Sequence, residues 1–94
     1  MQLQELVKNI QFKGTPDNRE ISFITYDSRK VKPGTLFVAI SGMQMDGHEF
    51  IPQAIENGAV AILSNGRSPK TKAVPILQVK NPRLAMSQIS AQFY

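Results

Sequence analysis

The sequence predicts a small α/β domain in which helices pack on a mixed or mostly parallel sheet. Three observations carry this. Leu36-Phe37-Val38-Ala39-Ile40 and Val60-Ala61-Ile62-Leu63 are short apolar runs without polar alternation, the pattern of strands covered on both faces. Between them Phe50, Ile51, Ala54 and Ile55 form a helical stripe. Strand, helix and strand make a βαβ unit, whose strands run parallel. Ninety-four residues allow one modest core and no second one.

The elements follow in order. Leu3, Leu6, Val7 and Ile10 recur at i, i+3, i+4 and i+7, predicting an amphipathic helix over the first ten residues. Gly14, Pro16, Asp17 and Asn18 break it into a turn-rich loop. The β-branched and aromatic run 21–26 predicts a strand that ends at Asp27. Pro33-Gly34 suits the centre of a type II turn, since proline presets φ and glycine accepts a positive φ. Asp46 is the expected N-cap of the middle helix, and Gly58 its left-handed C-cap. Residues 65–72 read as a polar, basic loop and Pro75–Val79 as a third apolar strand. Asn81-Pro82 joins an N-cap to a proline at the first helical position. Leu84, Ala85, Ile89, Ala91 and Phe93 then describe a last helix. That pattern is still running at Tyr94, so the chain is expected to be cut from a longer protein or to end at an artificial boundary.

Composition narrows the chemistry. With 41% hydrophobic and 19% charged residues the chain is globular, and with no cysteine it has no disulfide, zinc-thiolate site or thiol nucleophile. No apolar run approaches the roughly 20 residues of a membrane span, and the start lacks a signal-peptide pattern. The expected address is the cytoplasm, with no membrane partner. Net charge is +4, but the basic residues are scattered and most aromatics sit in apolar runs. Nucleic acid is therefore not an expected partner.

The polar residues gather in one stretch, Tyr26 to Phe50. No Gly-x-x-x-x-Gly-Lys-Ser/Thr pattern occurs, so the stretch cannot form an ATP P-loop. His48 is the only histidine, and one histidine cannot build a metal site. No nucleophile–base pair and no spaced carboxylate pair exist, so no catalytic residue is expected in this chain. As a bare tripeptide, Asp27-Ser28-Arg29 describes a capping and salt-bridge turn. As a site, it sets a short hydroxyl and backbone donors at a strand end beside a glycine-bounded loop. Open α/β sheets bind ligands at such an edge, and an oxyanion needs donors gathered this closely. The stretch reads as a binding site more than as a catalyst.

The series Asp27-Ser28-Arg29-Lys30-Val31-Lys32-Pro33-Gly34-Thr35-Leu36-Phe37-Val38-Ala39, with Asp46-Gly47-His48 and Ala54-Ile55-Glu56-Asn57-Gly58-Ala59, closely resembles the N-terminal domain of the Mur ligases. The resemblance extends over essentially the whole chain. Thr35 stands where the family usually has Asp. The opening helix and the stretch Val79 to Tyr94 resemble the MurE type, which adds the third residue of the peptidoglycan stem peptide. The MurF type, which adds D-alanyl-D-alanine, shares the central motifs.

The resemblance implies that residues 1–94 are the UDP-precursor-binding N-terminal domain of a ligase. That enzyme joins L-lysine or meso-diaminopimelate to UDP-N-acetylmuramoyl-L-alanyl-D-glutamate with ATP and Mg²⁺. ATP and metal would belong to a central ATPase domain of the same polypeptide and not to this chain. The UDP contacts carried over by position are Ser28, Tyr26, Met43, Gln44 and Met45. Asp27, Arg29, Gly42, Asp46, Gly47 and His48 support them. A stand-alone nucleotide-binding or RNA-binding module on the same fold is the alternative from another class.

Overall fold

The computed structural model describes residues 1–40, 50–65 and 74–94. Helix α1 spans Leu3–Leu6, strand β1 Phe23–Thr25 and β2 Thr35–Val38. Helix α2 is Ile51–Glu56, β3 is Ala59–Ser64, β4 is Ile76–Gln78 and α3 is Pro82–Phe93. The strands form one sheet in the order β1-β2-β3-β4, and all three neighbouring pairs are parallel. The expectation of a mixed or mostly parallel sheet thus resolves to a parallel one.

Both sheet faces are covered, which explains the unbroken apolar runs. Leu36, Val38, Leu63 and Leu77 pack with Leu3, Leu6, Val7, Ala85 and Ile89 under α1 and α3. Phe37, Ala39 and Ile62 point the other way, against Ile51 and Ala54 of α2. Every residue of β2 is buried. Its one polar member, Thr35, is satisfied because its Oγ1 accepts the Lys32 N–H at 3.1 Å. A short acceptor is what this turn needs, and the threonine hydroxyl supplies it.

The amino ends of the strands are closed by tight turns. Lys32 C=O accepts the Thr35 N–H at 3.2 Å and Gly34 has φ +88°, as a type II turn over Pro33-Gly34 requires. Gly58 ends the α2 segment at φ +115°, and its carbonyl accepts the Gly34 N–H at 3.2 Å. Residues 1–13 strap one face from edge to edge. Met1 C=O accepts the Ile21 N–H beside β1, and Lys13 exchanges two backbone hydrogen bonds with Gln78 of β4, at 2.8 and 2.7 Å.

Three expectations need correction. The first helix does not run to Ile10: after Leu6 the backbone bonds shorten to Lys8 N–H on Glu5 C=O and Ile10 N–H on Val7 C=O, which cannot extend an α-helix. The N-cap of α2 is Phe50, with no side-chain cap, and not Asp46. On α3 the buried stripe is Pro82, Ala85 and Ile89, while Leu84 is 55% exposed and Ala91 is exposed. At about 100° per residue Leu84 lies about 100° from Ala85, and Ala91 about 160° from Ile89, which is enough to turn them outward. The Asn81 cap stands as expected, its Oδ1 accepting the Leu84 N–H at 3.1 Å.

Candidate functional site

The carboxyl ends of β1 and β2 open onto a cleft of about 580 Å³ lined by Tyr26, Asp27, Ser28, Arg29, Ile40, Phe50 and Gln53. Its size falls in the range of small-molecule sites. One wall is a single 3₁₀ turn, Ser28–Lys30, entered directly from β1. Asp27 organises that turn. Its N–H donates to Thr25 Oγ1 at 3.1 Å, and its carboxylate accepts the Arg29 N–H at 2.9 Å. The same carboxylate takes Arg29 Nε and Nη2, both at 3.1 Å.

These bonds set the charge state of the edge. The Arg29 guanidinium, and after it the Arg29 backbone N–H, hold the Asp27 carboxyl below the usual aspartate range. Asp27 in turn raises Arg29. Among the described residues Asp27 is the one carboxylate lining the cleft, and the fork neutralises it. What the cleft then offers is donors and the aromatic rings of Tyr26 and Phe50. Ser28 is 8% exposed and, among the described residues, no protein group takes up its hydroxyl. Arg29 has an 86% exposed side chain. Tyr26 is 62% exposed, so its ring is open to solvent at the cleft.

The structure therefore brings Tyr26, Asp27, Ser28 and Arg29 together at one edge. Met43, Gln44, Met45, Gly42, Asp46, Gly47 and His48 lie outside the described residues. Sequence reasoning missed Ile40, Phe50 and Gln53 as cleft walls. Phe50 and Gln53 are three apart at the start of α2 and so share a helical face, a signal that assigning Phe50 to the core had hidden. A second cleft, lined by Phe12, Lys13, Lys80 and Leu84 among others, contains no residue of the Asp-Ser-Arg series. Among the described residues no group of three His, Cys, Asp or Glu could hold a metal ion. None of the described helices is long and apolar enough to cross a membrane.

Comparison with known proteins places the chain in a family. Residues 20–94 match the family described as Mur ligase family, catalytic domain. The chain belongs to the Mur ligase family. It is 47% identical, over its whole length, to a UDP-N-acetylmuramoyl-L-alanyl-D-glutamate--2,6-diaminopimelate ligase of Syntrophomonas wolfei, covering 20% of that protein. It is 44% identical to a UDP-N-acetylmuramyl-tripeptide synthetase of Roseiflexus, covering all of this chain and 19% of that one. A crystal structure of MurF from Acinetobacter baumannii superposes on 96% of the chain with a TM-score of 0.80 and 29% identity, over 20% of its own length. The chain thus spans about a fifth of the length of the relatives it matches.

Proposed function

We propose that this chain is the N-terminal, UDP-precursor-binding domain of a MurE-type ligase, which adds a diamino acid to UDP-N-acetylmuramoyl-L-alanyl-D-glutamate. The observation that carries the reading is Ser28: a nearly buried hydroxyl inside the family's Asp-Ser-Arg series, lining a cleft where two parallel strands end. Ser28 Oγ donates to a diphosphate oxygen or a base edge, and the exposed Tyr26 ring covers the uracil. Met43, Gln44 and Met45 complete the uridine contacts, with Gly42, Asp46, Gly47 and His48 shaping their loop. Asp27 holds the turn, and Arg29 adds positive charge at the rim.

The remaining parts of the reaction belong to the rest of the polypeptide. ATP, Mg²⁺ and the incoming L-lysine or meso-diaminopimelate bind in the central and C-terminal domains of the full-length enzyme, which works in the cytoplasm. There the substrate carboxylate would take a phosphoryl group from ATP to become an acyl phosphate, and the incoming amine would displace inorganic phosphate to form the amide; no residue of this chain is assigned to that step. MurF chains share the fold at 29% identity, which supports addition of D-alanyl-D-alanine as the second reading. The higher identity to diaminopimelate ligases favours the first.

The test is titration with UDP-N-acetylmuramoyl-L-alanyl-D-glutamate, comparing wild type with Ser28→Ala. A hydrogen bond to a charged oxygen contributes about 1.5–3 kcal/mol, so affinity should fall at least about tenfold with the fold intact. Unchanged affinity in the full-length enzyme would remove Ser28 from the site. Salt-dependent RNA binding without any UDP-sugar binding would instead favour a stand-alone module.

A further inference from the structure

The β2–β3 pair contains an irregularity that the ligand reading does not use. Thr35 pairs with Ala59, but the next residue, Leu36, pairs with Ala61, so Val60 is an extra residue in β3. The packing shows its effect. Ala59 faces α2, while Val60 and Ala61 both belong to the side under α1 and α3. Alternation then resumes, with Ile62 toward α2 and Leu63 toward α1 and α3. Strand side chains alternate with a period of two, so flattening the bulge, with Val60 drawn into regular alternation, would exchange the faces of everything from Ala61 to Ser64. Ile62 and Leu63 would swap cores, and the fully buried Ser64 would turn into the α1/α3 core.

Bulges in parallel pairs are rare, and the extra residue drops out of the ladder. Here an arginine from outside the sheet meets it. Arg19 Nη1 donates to Val60 C=O at 2.9 Å, across 41 positions of sequence. The guanidinium has little freedom to do anything else. Its Nε and Nη2 are held by the Asp17 carboxylate at 2.8 and 2.7 Å, and the Arg19 backbone is pinned by the Leu3 N–H at 2.8 Å.

We propose that Arg19 is a positioning residue that locks the Val60 bulge, and so decides which faces β3 presents where it reaches the carboxyl edge. The lock bears on the cleft through one contact: Ala39 donates its N–H to Leu63 C=O at 2.8 Å, immediately before the wall residue Ile40. That consequence for ligand rests on the proposed UDP reading; the lock itself does not.

The experiment compares wild type with Arg19→Gln, Arg19→Lys and Asp17→Asn by amide hydrogen exchange, using α3 amides as the reference for global unfolding. Arg19→Gln should speed exchange at Ala61 and Ala39 by at least about tenfold beyond that reference. Packing of the Leu63 methyls in the core under α1 and α3 should loosen with it. Arg19→Lys keeps one donor and should fall between; Asp17→Asn keeps the carbonyl contact and should stay near wild type. Unchanged exchange in Arg19→Gln overturns the lock, and so does an Asp17→Asn effect as large as that of Arg19→Gln. If Arg19→Gln does not fold, wild-type exchange in Arg19→Lys overturns it equally. In parallel, affinity for the UDP-muramoyl dipeptide should follow the exchange series across the variants. A lock confirmed by exchange with unaltered affinity overturns the link to the cleft. A wild type that binds no such probe sinks the UDP reading, and leaves the exchange result to decide the lock.

Discussion

Residues 17–19 and 27–29 are the same device built twice. In each, an aspartate accepts the backbone N–H, Nε and Nη2 of the arginine two positions on, in a two-pronged fork. In each, the arginine's hydrogen bonds hold the aspartate pKa down and raise the arginine's own. The difference is where the remaining nitrogen goes. Arg19, with a 34% exposed side chain, spends it on a carbonyl near the amino end of β3. Arg29, 86% exposed, stands at the cleft with no further partner among the described residues. One fork completes the scaffold and the other leaves donors at a binding edge. Location relative to the strands, and not local chemistry, separates structural from functional use of this pattern.

The comparison extends to the two ends of the sheet, and the closed end should be the less tolerant. Gly58 offers the sharpest break. A Cβ there would sit 2.7 Å from Pro33 N and 2.8 Å from its Cα, at a φ of +115° that side chains rarely adopt. Backbone atoms cannot step aside, so strain and overpacking together should cost about 2–4 kcal/mol in Gly58→Ala. For a domain this small that lowers Tm by more than about 10 °C. Thermal unfolding followed by circular dichroism checks it. A shift of only a degree or two would show that the amino end can yield, and the contrast between the ends would fail.

How far the sequence was legible follows the range of the interactions. The Pro33-Gly34 turn, the Asn81-Pro82 start of α3 and the buried runs of β2 and β3 each rest on neighbours within a few positions, and each stands as expected. The tripeptide Asp27-Ser28-Arg29 was equally visible, because its fork closes on itself. The Val60 bulge was not, since it exists only relative to the register of β2. Asp17 read as a plain turn residue, because nothing nearby reveals that Arg19 reaches β3. Leu84 carried a helical stripe signal that its neighbour Ala85 satisfies instead.

At the open end a comparable substitution should leave the fold alone and alter the ligand. Arg29→Gln removes a solvated charge, so its unfolding curve should overlay wild type. Affinity for the UDP-muramoyl dipeptide should fall only about two- to fivefold, as exposed charge contacts are screened by water and salt, and the salt dependence should flatten with it. A destabilised Arg29→Gln would mean that the second fork is also scaffold.

The smallest effect tests whether the two forks are the same device at all. Both aspartates are held below the ordinary value of about 4, so through that region the folded chain binds fewer protons than the unfolded one. Any contribution of a fork is therefore present above the unfolded pKa and lost as pH falls through the depressed folded value; at the solvated Asp27 fork water screens it to a size that titration reads and an unfolding curve does not. Side-chain carboxyl titration by NMR should show Asp17 returning toward the ordinary value in Arg19→Gln alone, and Asp27 in Arg29→Gln alone. The leading cause in both is the short hydrogen bond to the guanidinium, with the wider Coulomb attraction behind it. Raising ionic strength about tenfold screens the attraction far more than the bond, so both titrations should stay depressed. If high salt restores Asp27 but not Asp17, only the fork tied to the strand is a fixed structure. The open one would then be a loose ion pair, and Ser28 would have to be held in place by the 3₁₀ turn alone.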